Sequence, residues 1–170
     1  MAATSEVICD AGPLMHLDEL LALDLLADFS AVLVPQAVWA EVDHHRPEAL
    51  RHAEVSVSQT MVQVEADPAV DTLIQTLSLR AGKQAAIRLA RQRPNAILLT
   101  DDAAARLAAE GLSLSVHGTL GILIRAIRRG QRTPQEVIGL LESIPARSSL
   151  YIRAEFLAGV ITQLRAEHDL

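Results

Sequence analysis

Cysteine is nearly absent. Cys9 alone occurs among 170 residues, which excludes an internal disulfide framework and any zinc module built on several cysteines. Aromatic residues are almost as scarce: Phe29, Trp39, Tyr151 and Phe156 are the full set. Four are too few for an RNA-recognition motif or a stacking platform along a single strand. No apolar run approaches the ~18 residues of a membrane span, and the leucine-rich stretch Leu20 to Leu26 is broken by Asp24. The opening residues lack a basic region followed by an apolar one, so no secretory signal is expected and the expected location is the cytoplasm. Phosphate-binding GxGxxG and GxxxxGK[ST] loops are missing, as is a Gly-x-Ser-x-Gly elbow; nucleotide-cofactor and serine-hydrolase chemistry are thereby disfavoured.

What is present is an aliphatic core. Half of the residues are hydrophobic and the mean hydropathy is +0.24, so the chain is expected to fold as a single domain over 1–170. The formal net charge of −6 speaks against a strongly basic nucleic-acid binder. Its distribution is uneven, however. Residues 1–79 carry two basic and thirteen acidic side chains, whereas residues 80–133 carry ten basic and three acidic. Either the middle segment meets a polyanion or an acidic partner, or folding mixes the two halves across the surface.

Short apolar runs alternate with helical patterns. Val7-Ile8-Cys9, Ala31 to Val34 and Ala96 to Thr100 read as buried strands; Val55 to Val64 holds a third strand in chain order, and Leu112 to Val116 alternates like a fifth. Leu14, Leu17, Leu21 and Leu25 mark a helical stripe to about residue 28, and Pro35 is placed to open a helix. Further helices are expected over about 68–78, 82–92, 119–129, 134–143 and 149–167, with one beginning at Asp101-Asp102. The C-terminal helices of about 134–168 are expected to pack on the rest. This alternation implies a mostly parallel sheet covered on both faces, with ligands bound beyond the C-terminal strand ends.

Two of the best strands end in aspartate, at Asp10 and at Asp101-Asp102. Singly, each is explained as a helix cap. Together, adjacent parallel strands would bring them close, and such carboxylates repel unless a divalent cation sits among them. Oxygen-only ligation suits Mg²⁺ or Mn²⁺, which can activate water at a phosphodiester. Glu41 could reach the same edge, or simply be a solvated helix residue.

The segments Asp10-Ala11-Gly12-Pro13, Pro35 to Val42, Ala81 to Ile87, Leu98 to Asp102 with Ala105-Arg106, and Gly118 to Leu123 follow one another in a recognisable order. Over roughly residues 6–160 the chain resembles the PIN-domain ribonucleases, in particular a VapC-like toxin branch with an aspartate-alanine-glycine-proline opening. The resemblance implies a three-layer α/β/α fold around a five-stranded parallel sheet. It also implies an Mg²⁺- or Mn²⁺-dependent endoribonuclease, toxin of a toxin–antitoxin pair, with Asp10, Glu41 and either or both of Asp101 and Asp102 as catalytic metal ligands.

One position departs from that pattern. Where the related branch has glutamate after glycine, this chain has Lys83 in Gly82-Lys83-Gln84. An ammonium near the site repels a metal ion. Either Lys83 points elsewhere, or it takes over part of the metal's charge and clamps a phosphate, or catalysis is weakened and the protein binds RNA or an antitoxin.

The substrate-binding candidates are Lys83, Arg88, Arg91, Arg125, Arg128 and Thr119. The arginines would hold phosphates, or favour their own helix termini; Thr119 would donate to a carboxylate or cap its helix. His44 and His45 lie on a polar segment without zinc-protease spacing. His16 and His117, nearer the strand ends, read as packed residues or substrate contacts. Excess apolar surface at Leu150, Ile152, Phe156, Leu157, Val160, Ile161 and Leu164 is expected to serve core closure, a homodimer or an antitoxin contact.

Overall fold

The computed structural model describes residues 5–170. Its five strands form one parallel sheet in the order β3-β2-β1-β4-β5. β1 spans Glu6–Cys9, β2 Ala31–Pro35, β3 Val57–Thr60, β4 Ile97–Leu99 and β5 Val116–His117. β1 pairs with β2 through Val7 opposite Val32, and with β4 through Val7 opposite Ile97.

Among the described residues, eight α-helices connect and cover the strands: α1 (Ala11–Glu19), α2 (Gln36–His45), α3 (Pro68–Thr76), α4 (Ala81–Gln92), α5 (Ala103–Gly111), α6 (Thr119–Arg128), α7 (Pro134–Arg147) and α8 (Ala154–Glu167). The sheet is three-layered because its strands are apolar on both faces. Val7, Cys9, Val32, Val34 and Leu99 point into one core with side chains of α1, α2, α6, α7 and α8. The alternate residues Ile8, Leu33 and Leu98 point into the other, against α3, α4 and α5. The expected α/β/α class is the observed one. No helix among the described residues is long and apolar enough to cross a membrane.

Several boundaries differ from the sequence expectation. The helix expected to run to residue 28 stops at Glu19; Leu21 adopts a left-handed φ of 55°, and a separate 3₁₀ turn covers Leu23–Leu26. The leucine stripe continues because both pieces bury leucines in the same core. Pro35 closes β2 and stands at the N-cap of α2 rather than inside it. Leu112 to Ser115 is not strand: Ser113 has φ 56°, and pairing begins only at Val116. α7 runs beyond residue 143 to Arg147, anchored at its start by reciprocal hydrogen bonds between Thr133 and Glu136. α8 begins at Ala154 rather than at Ser149.

Candidate functional site

Strand order reverses between β1 and β4, because the chain winds outward on one side through β2 and β3 and on the other through β5. Crossovers diverge at such a point and leave a crevice at the strand ends. Asp10 follows β1 and Asp101-Asp102 follows β4, and the Asp10 N–H donates to the Leu99 carbonyl at 2.9 Å. The three aspartates therefore lie on one rim.

Each has a distinct environment. Asp10 is 3 % exposed. Its Oδ1 accepts from the Ala11 N–H at 2.9 Å, and its Oδ2 accepts from the Thr100 hydroxyl at 2.8 Å. The same Thr100 oxygen accepts from the Asp102 N–H at 3.3 Å, so one buried hydroxyl links two of the acids. Asp102 caps α5 through the Ala105 N–H at 2.9 Å. Asp101 turns the other way, toward α6 and α1. Its Oδ1 accepts the Thr119 N–H at 2.7 Å, and its Oδ2 accepts the Thr119 hydroxyl at 2.6 Å and bonds His16 Nδ1 at 2.8 Å. Burial pushes the Asp101 carboxyl up, but the donations from His16 and Thr119 together outweigh it and hold it below the ordinary aspartate value. Burial, and then the charges of Arg106, Arg128 and Arg125, lower His117.

Lys83 points into this crevice from the first turn of α4. Its Nζ lies 3.8 Å from Asp10 Oδ2 and 3.9 Å from Asp102 Oδ2. Glu41 is exposed and rests against the start of α4: a Cβ built at Gly82 would lie 3.2 Å from Glu41 Oε2. The crevice thus gathers Asp10, Asp102 and Lys83 on one side and Asp101 with His16 and Thr119 on the other.

The remaining substrate-binding candidates are placed differently. Arg88 pairs with Asp71 at 2.6 Å, Arg91 with Asp67 at 3.0 Å and Arg125 with Asp28 at 2.8 Å. Arg128 has no acidic partner among the described residues. Thr119 is the first residue of α6, not its cap; Gly118 holds the cap position, and Asp101 provides the accepting oxygens.

Three further contributors lie inside the motif segments but were not among the expected site residues. Thr100 was hidden as the polar end of an apolar strand. Gly118 matters by proximity, since a Cβ there would lie 2.6 Å from Asp101 Oδ1 and 2.9 Å from an Arg106 guanidinium nitrogen. Arg106, which donates to the Thr100 carbonyl at 3.3 Å, sits beside the same glycine.

Fold and site together define an α/β/α protein with an acidic site at its strand-end switch point. The chain belongs to the PIN-domain family: the profile described as PIN domain matches residues 6–166. Among curated proteins, none matches it. PIN domains are a nuclease family directed at RNA, and their nucleases generally use a divalent metal ion.

The residues present do not fit such an ion as they are arranged. Asp101 is turned away from the other two acids, its oxygens held by three donors, so it does not join Asp10 and Asp102 around a common point. The space between Asp10 and Asp102 faces an ammonium group. Among the described residues, no cluster of three or more histidine, cysteine or acidic side chains is arranged to hold a metal.

Proposed function

We propose that this single PIN-like domain, 1–170, engages RNA at the strand-end rim as a catalytically weakened member of a VapC-like toxin branch. Lys83 supplies there the positive charge that the family takes from a metal ion. The observation that carries this reading is the position of the Lys83 ammonium, near 4 Å from two carboxylates. Exchanging glutamate for lysine changes the local charge by two units, the full charge of a divalent cation. At about 4 Å and an effective dielectric of about 20, each unit-charge pair amounts to about 4 kcal/mol of gross Coulomb energy. A cation entering this crevice is therefore opposed by Lys83.

The acids do not leave a bare negative surface. Asp10 and Asp102 share Lys83, and Asp101 is tied to His16 and to the N-terminus of α6. A phosphodiester can approach with Lys83 and Arg106 as its donors, and with Arg128 further along the backbone. Thr100 holds the Asp10 and Asp102 ends together, while His16 and Thr119 fix Asp101.

A second reading is the Mg²⁺- or Mn²⁺-dependent endoribonuclease toxin, with Asp10, Glu41, Asp101 and Asp102 as the acidic set. It is supported by the meeting of three aspartates on one rim and by Glu41 lying beside α4 in family order. Both readings take cytoplasmic RNA as the target and a small antitoxin as partner. A homodimer through the α8 apolar residues belongs to the same proposal, and light scattering on the eluting protein tests it; a monomer removes it.

RNA binding and cleavage, with Mg²⁺, Mn²⁺ or EDTA, separate the two. For the first reading, wild type binds RNA in EDTA, cleaves slowly if at all and takes up Mn²⁺ weakly by titration calorimetry. Lys83→Glu then gains at least about tenfold in Mn²⁺ affinity and acquires cleavage that Asp10→Asn abolishes. Rapid Mg²⁺-dependent cleavage by wild type, lost in Asp10→Asn, establishes the second reading instead.

A further inference from the structure

Beside Gly118 the rim opens into a groove of about 690 Å³, bounded by the start of α5, the β5–α6 junction and the chain entering α8. Asp101 and Arg106 line it, together with Tyr151, Arg153 and Phe156. Tyr151 is 85 % exposed and Phe156 61 %. Half of the four aromatic residues in the chain are thus spent in solvent, in one groove, while Phe29 is buried.

The arginines there, like Arg80, Arg128 and Arg147, lack a carboxylate partner among the described residues, whereas most arginines of the molecule have one. Arg88, Arg91, Arg93, Arg125, Arg129 and Arg132 each have a carboxylate within 3.3 Å. Arg106 and Arg153 have no ion-pair partner among the described residues. Flat π-faces beside free guanidinium groups match one class of ligand. Single-stranded nucleic acid presents unstacked bases and phosphates together, whereas a duplex hides its base faces. A protein partner would need carboxylates and apolar side chains at matching positions. A strand provides both elements in each nucleotide and runs on continuously to Asp101.

We propose that this groove is a base-stacking subsite for a single-stranded nucleic acid, with bases against Tyr151 and Phe156 and adjoining phosphates on Arg153 and Arg106. The proposal rests on the RNA reading of the rim and extends it to strandedness.

Fluorescence anisotropy in EDTA tests it on the full chain. The probes are a labelled RNA of about ten nucleotides, the same RNA in a duplex, and the same strand with abasic positions. Wild type is expected to prefer the single strand. Tyr151→Ala and Phe156→Ala should each weaken it about tenfold, within the range for loss of one stacked base. Tyr151→Phe should retain affinity, and Tyr151→Ala should cost nothing further on the abasic strand. Equal binding of duplex and single strand, or full affinity in both alanine variants, overturns the subsite while leaving the RNA reading intact. If wild type binds no RNA at all, the reading of the rim itself fails and the subsite with it. Tyr151-dependent capture of a Glu/Leu-rich helical peptide without RNA binding overturns it in favour of a protein partner.

Discussion

At the scale of single residues, the rim depends on groups that are neither acidic nor basic. The Thr100 hydroxyl, fully buried, donates to Asp10 and accepts from the Asp102 N–H. Thr100→Val removes both bonds and leaves a buried carboxylate oxygen short of a donor. It should cost about 1–3 kcal/mol in chemical denaturation, and a stability equal to wild type would show that the hydroxyl contributes nothing. Gly118 gives a steric test. Gly118→Ala places a methyl 2.6 Å from Asp101 Oδ1 and should destabilise by about 1–3 kcal/mol, as overpacking does. Gly139, inside α7 with nothing within 4 Å of a built Cβ, is the control. Gly139→Ala should stabilise by about 0.5–1 kcal/mol through the helix preference alone. Equal thermal shifts in the two variants would argue against a close approach at Gly118.

At the scale of elements, legibility follows the range of the interaction. β1, β2 and β4 could be read because a doubly covered strand must be apolar over consecutive residues, as in Val7-Ile8-Cys9 and Ile97-Leu98-Leu99. The aspartates at their ends could be read for the same reason. The break after α1 could not: it lies in the backbone at Leu21, while leucine periodicity continues across it. The fate of the arginines was equally hidden. Arg125 and Arg129 reach Asp28 across 97 and 101 residues of chain, and no local pattern records such pairing. That link fastens α6 to the segment before β2, with the Arg125 guanidinium 4.1 Å from the centre of the Phe29 ring. Burial raises the Asp28 carboxyl, but hydrogen bonds and charge from Arg125 and Arg129 outweigh this and hold it below the usual aspartate value. A carboxyl lowered by folding contributes stability above its unfolded pKa and loses it as pH falls through the folded one. Wild type should therefore be more heat-stable than Asp28→Asn at pH 7, and the gap should close as pH drops below about 4. A constant gap across that window would mean that charge has no part in the link.

On the scale of the whole molecule, folding turns an uneven sequence into a surface with few free cations. The basic segment 80–133 is largely neutralised by acids of the first 79 residues: Glu6, Asp24, Asp28, Asp67 and Asp71 each hold an arginine from it. The sequence alone left open whether this segment would meet a polyanion or be covered internally, and the ion pairs show that acids of the N-terminal part cover much of it. Arg106 and Arg153 remain unpaired in the groove and Arg128 remains unpaired on the α6 side, while Lys83 in the crevice is shared with two carboxylates. Salt dependence measures how many of these meet phosphate. Each phosphate neutralised on a single strand contributes about −0.7 to the slope of log affinity against log salt. Lys83 and the three free guanidinium groups should give a slope of about −3, whereas recruitment of all ten basic residues of segment 80–133 would give about −7. Anisotropy titrations of single-stranded RNA from low to physiological salt provide the measurement. A slope near the steeper value would require the internal ion pairs to open on binding, and Asp28→Asn and Asp71→Asn would then raise RNA affinity by freeing Arg125, Arg129 and Arg88. With a shallow slope, the same two substitutions should leave RNA affinity unchanged, because the arginines they release lie outside the path of the strand.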